Sequence, residues 1–137
     1  MDATYLRITN LTLLFTLLYF YLNSNKNIAE CSLAICVIFL FIFAQIFWQN
    51  PIKNSLIHKI DGIVVKILII SFILYVVLIK KIPWTTKLAF LMITGFAISA
   101  FYLSDHFSSI EWCSECHIMF HGISHIFCFI GTIFAFV

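Results

Sequence analysis

A chain of 137 residues that is 63% hydrophobic and only 10% charged, with a mean hydropathy of +1.07, has too little polar surface for a water-soluble fold and reads as an integral membrane protein. Its net charge of +2, spread without any basic run, excludes a protein that tracks a nucleic-acid backbone. The length leaves room for about five spanning helices and no separate soluble domain, so residues 1–137 read as one all-α domain, a bundle of five transmembrane helices.

The first apolar segment covers residues 6–22 and carries polar Thr9, Asn10 and Thr12 in its first turns. No small-residue cleavage site follows it, which predicts a retained helix rather than a removed signal peptide. After the polar "NSNKN", the second segment, 28–48, runs to "QNP", where Pro51 interrupts a continuing helix. The third, 62–79, follows "HKIDG" and stops at "KKIP". The fourth, 84–103, and the last, 118–137, flank "SDHFSSIEWCSEC". Each is about 17 to 21 residues, enough to cross a bilayer at the helical rise. Sixteen phenylalanines and four glycines predict gaps filled by bulky side chains rather than close small-residue crossings.

Alternation assigns the gaps to two membrane faces. Side A, the face of the N-terminus, receives every histidine: His58, His106, His117, His121 and His125, with Asp61, Asp105, Glu111 and Glu115. Side B receives Lys26, Lys80, Lys81 and Lys87 against Arg7, Lys53 and Lys59 on side A, with Lys66 free to snorkel towards A. The balance leans to a cytoplasmic side B.

Cys113, Cys116 and His117 spell C-x-x-C-H, the spacing of a covalent haem site, and equally that of a loop pair of thiols or a small disulfide. Cys31, Cys36 and Cys128 lie in apolar segments and read as small buried hydrophobes. On a helix, His121 and His125 stack on one face and can present both rings to a single ion. His117, His121, His125, Cys128 and Thr132 form one polar stripe, which belongs against the bundle interior; the alternative is a set of interfacial histidines bonded to neighbouring helices or headgroups. His58 and Asp61 sit three apart on one face of the third helix, where Asp61 serves either the site or the helix start. Asp105 and His106 end the fourth helix, as an orienting carboxylate and a further imidazole.

The setting "HKIDGI" followed by a last helix reading "HGISHIFCFIGT" resembles the CREST-type membrane hydrolase superfamily, which includes alkaline ceramidases and adiponectin-receptor-like proteins. The resemblance implies a zinc ion held by three histidines, with His121 and His125 as the last-helix pair and Asp61 orienting a water for hydrolysis of a lipid amide. The family has seven helices and a Ser-x-x-x-His motif, where this chain has room for five and reads "AQIFWQN". The third ligand then falls to His58 or His106, with Asp105 and His117 as outer supports.

The reading is a zinc-dependent hydrolase of a lipid amide or ester, with membrane lipid as partner. A non-catalytic small subunit or assembly factor, as a homo-oligomer or within a larger membrane complex, is the first alternative, and a haem-bearing electron carrier the second.

Overall fold

The structure, a computed structural model, describes residues 3–137, and every regular element among them is helical. The elements are α1 (Thr4–Asn10), α2 (Thr12–Asn23), α3 (Ile28–Gln49), α4 (Leu56–Leu74), α5 (Trp84–Ile110) and α6 (Glu115–Phe136). α4 continues through a five-residue π-helical turn, Tyr75–Ile79. Leu11 keeps right-handed helical dihedrals, so α1 and α2 form one span with a local irregularity. There the hydroxyls of Thr9 and Thr12 bond back to the carbonyls of Leu6 and Thr9, at 3.2 and 2.7 Å. Five helices are therefore long and apolar enough to cross a membrane: Thr4–Asn23, Ile28–Gln49, Leu56–Ile79, Trp84–Ile110 and Glu115–Phe136.

Three boundaries differ from the sequence expectation by three residues or more, each for a local reason. The third span begins at Leu56 rather than at residue 62, because Ser55 caps it. Ser114 likewise starts α6 at Glu115, before residue 118. α5 runs on to Ile110, past residue 103, since no proline interrupts the chain between Pro83 and Glu111. His58, Asp61, Asp105, His106 and His117 all lie within helices as a result.

α6 is the central helix, lying along α5 on one side and across α1 and α2 on the other, while α3 packs on α4, α1 and α2. The core is correspondingly aromatic: Phe136 meets Phe20 and Phe72 edge-on at 5.1 and 5.9 Å, within a cluster with Leu33, Val37 and Val76. A second cluster, Leu6, Ala44, Phe47, Trp48 and Ile118, closes side A. There Trp112 Nε1 donates to the Pro51 carbonyl at 2.9 Å and Lys53 Nζ to the Ser108 carbonyl at 2.6 Å, tying the two loops together. Gly122 is the exception to bulky packing, because a Cβ there would meet Tyr5 Cε1 of α1 at 2.5 Å. Gly122→Ala is expected to destabilise the bundle by about 1–3 kcal/mol, seen as a lower unfolding midpoint in detergent.

α4 is held through α3 and hardly touches α5.

Candidate intramembrane site

Two of the five histidines are helix caps. Ser55 Oγ accepts the His58 amide at 3.2 Å, and His58 Nδ1 accepts the Asn54 amide at 3.0 Å. The second loop repeats this: Ser114 Oγ accepts the His117 amide at 3.3 Å, and His117 Nδ1 accepts the Cys113 amide at 3.1 Å. Each pair is a variant of the capping box, Ser-x-x-His, in which the imidazole stands where a glutamate usually does but accepts the amide of the residue before the cap. Asn54 and Cys113 must adopt φ of 63° and 60° to make it, and only for Asn is that backbone favourable. An Nδ1 that accepts an amide carries no proton. The neutral ring therefore keeps its proton on Nε2 and has no second lone pair for a ligand bond.

His121 and His125 pair instead with hydroxyls. Thr9 Oγ1 lies 2.9 Å from His125 Nδ1 and 3.2 Å from the Leu6 carbonyl. Ser104 Oγ lies 3.2 Å from His121 Nδ1 and 3.3 Å from the His117 carbonyl. Each hydroxyl has one proton for these two acceptors. Where the carbonyl takes it, the ring keeps hydrogen on Nδ1 and its lone pair on Nε2, the tautomer a metal ligand needs. The rings lie edge to face, centroids 4.9 Å apart, with Trp48 edge-on to His121 at 4.8 Å. His125 is ten residues into α6, about 15 Å along its axis and near mid-span.

Asp61 faces them. It is 8% exposed, its Oδ1 has no hydrogen-bond partner, and it lines one cavity with Asn10, His121, Ser124, His125 and Cys128. An adjoining cavity towards side A shares Asp61 and His121 and adds His58, Ser104, Asp105 and His117. The volumes are about 30 and 40 Å³, room for a water or two each. Among the described residues, the buried side-chain polar atoms without partners are Asn10 Oδ1, Trp48 Nε1 and Asp61 Oδ1, and all three residues line these two cavities. Asp61 does not cap its helix. Ser55 does, and Asp61 lies in the second turn, past the reach of the helix dipole.

The polar stripe of α6 thus faces inward, with His121 on Ser104, His125 on Thr9 and Thr132 on Thr16 at 2.8 Å. His58 and Asp105 reach the outer cavity. His106 stands apart, exposed and against Phe107, because the helix turns it away from the face that carries Asp105. Among the described residues no three His, Cys, Asp or Glu side chains converge as a metal site. What assembles is a pair of imidazoles with a carboxylate lining the same cavity, rather than a three-histidine set. All five cysteines are free thiols; Cys116 is exposed, and burial pushes the Cys113 thiol above its ordinary pKa.

No motif marks Thr9 and Ser104 as partners of the pair. The polar residues opening the first helix were the available signal, because a hydroxyl that deep in a span needs a partner. Comparison with protein-family models, with curated proteins and with solved structures finds no match. The functional reading therefore rests on this chain's own residues.

Proposed function

We propose that the protein is a membrane-embedded hydrolase, zinc-assisted, that cleaves an amide or ester bond of a membrane lipid. One observation carries this: two adjacent imidazoles, each met at Nδ1 by a hydroxyl, share a cavity, inside the bundle, with a partnerless carboxylate. His121 and His125 would supply two of the three protein ligands that a catalytic zinc usually has, and an ion held there would act as a Lewis acid. Asp61, lining the same cavity, would orient a water there and accept its proton. Thr9 and Ser104 fix the orientation of the two rings through Nδ1, and Trp48 and Phe101 keep bulk water out. The resemblance of "HKIDGI" and "HGISHIFCFIGT" to the CREST-type superfamily supports the same assignment.

The test is fatty-acid release from mixed micelles of lipid amides and esters by purified protein. Activity is expected to need zinc, to vanish with a chelator and to be lost in His121→Ala. Thr9→Val and Ser104→Ala are expected to weaken zinc binding roughly 10- to 100-fold, as outer partners of metal-bound histidines do. Release that is undiminished in His121→Ala, or absent from every substrate tried with zinc present, would sink the hydrolase and leave a non-catalytic membrane subunit.

A further inference from the structure

A wider opening lies outside the histidine cavities, between α4 and α5 on side A. It measures about 620 Å³, within the range of roughly 300–1,000 Å³ typical of ligand pockets. Lys59, Ile63 and Lys66 of α4 form one wall, and Ile98 and Tyr102 of α5 the other. His58, Gly62, Phe101 and Asp105 belong both to this cleft and to the outer of the two inner cavities, so the cleft adjoins the place where Asp61 and His121 meet.

Its cations are the unusual feature. Lys59 and Lys66 are seven residues apart, on one helical face and about 10 Å apart along the axis. Both are exposed, and neither has a hydrogen bond or ion pair among the described residues. Arg7 is engaged with Gln45, Lys53 with the Ser108 carbonyl, Lys80 with Glu30, and Lys87 with the Val77 carbonyl; Lys81, on the far face, is exposed like the cleft pair but stands alone. Lys66 is ten residues into its helix, about 15 Å from the start, where an ammonium group without a counter-charge is costly. A flexible stem lets it lean back towards Lys59. Asp105 is the acid on the cleft wall, so two lysines face one carboxylate there.

We propose that this cleft binds an acyl lipid with an anionic headgroup, entering sideways from the bilayer. The phosphate sits between Lys59 and Lys66, and the chain runs along Ile63, Ile98 and Tyr102. That this lipid is also the substrate rests on the hydrolase reading; that it binds does not.

The experiment reconstitutes the full chain in phosphatidylcholine vesicles and measures the association of trace spin-labelled phosphatidic acid against spin-labelled phosphatidylcholine of the same chains. Phosphatidic acid is expected to be preferred by about five-fold per lysine, the value of one basic side chain near an anionic headgroup. The preference should disappear in the double variant Lys59→Gln, Lys66→Gln, return with Arg at both positions, and survive Lys81→Gln at the far face. Gly62→Leu, whose added carbons begin in open space, should exclude both lipids by filling the cleft. No preference in the wild type, a preference untouched by the double variant, or an equal loss in Lys81→Gln would overturn the site. Displacement by free inorganic phosphate as complete as by unlabelled lipid would overturn the lipid assignment. Binding needs no turnover, which separates the two claims. Selective binding without hydrolysis sinks the hydrolase and keeps the site, whereas hydrolysis indifferent to both lysines sinks the substrate claim and keeps the hydrolase.

Discussion

Lys80→Met is expected to lower the stability of the bundle by about 3 kcal/mol, the lower end of the cost of stranding one partner of a buried ion pair. Lys80 Nζ lies 3.1 Å from Glu30 Oε1, with side chains 7% and 0% exposed. Tyr75 Oη and Ser24 Oγ also donate to that carboxylate, at 2.6 and 2.7 Å, and Lys80 Nζ donates to the Ala135 carbonyl at 2.5 Å. That carbonyl belongs to the last turn of α6, where no intrahelical donor exists. One ammonium therefore ties α3 to the end of α6. Glu30 left behind would have two hydroxyl donors and no counter-charge. The double variant Glu30→Gln, Lys80→Met is expected to recover most of the loss, because the cost lies in the uncompensated charge and not in the missing attraction. Thermal unfolding in detergent micelles decides it: a single variant as stable as the wild type, or a double variant no better than Lys80→Met, would remove this pair from the account of stability.

The π-helical turn is what delivers Lys80. Its amide bonds to the Tyr75 carbonyl, five residues back, at 2.8 Å, and the widened turn places Tyr75 and Lys80 on the same carboxylate. Nothing in "YVVLIK" announces such a turn, since periodicity distinguishes helix from strand but not one helical winding from another. Glu30 was legible in principle. An acid inside an apolar segment asks for a partner, yet the sequence places fifty residues between it and Lys80.

The five spans were readable because each is a long apolar run with a polar break, and the inward stripe of α6 because a lipid-facing imidazole has no partner. The division of labour among the histidines was not. His58 and His117 look as available as His121 and His125 until the serines three residues before them are seen to turn them into caps. Ser-x-x-His is too short a pattern to carry that meaning without the left-handed residue that precedes it, and only backbone geometry reveals Asn54 and Cys113 in that role.

Asp61→Asn is expected to abolish lipid hydrolysis and, in the same protein, to raise its stability. On the hydrolase proposal, the activity loss follows from removal of the proposed base: positioned proton transfer contributes roughly 10²–10⁴-fold, and an amide side chain cannot accept the proton. The stability gain follows from burial. Asp61 is 8% exposed with a partnerless Oδ1, and a buried acceptor with no donor costs about 1–3 kcal/mol, more when it is charged. Asparagine keeps the shape and removes the charge, so part of that cost is returned as a higher unfolding midpoint. A structural aspartate behaves in the opposite way, because replacing it breaks the bonds it makes. The two readouts together therefore distinguish a carboxylate kept for its chemistry from one kept for the fold. Lower stability in Asp61→Asn would make Asp61 a structural residue, and hydrolysis surviving at more than about one tenth of the wild-type rate would place the base elsewhere.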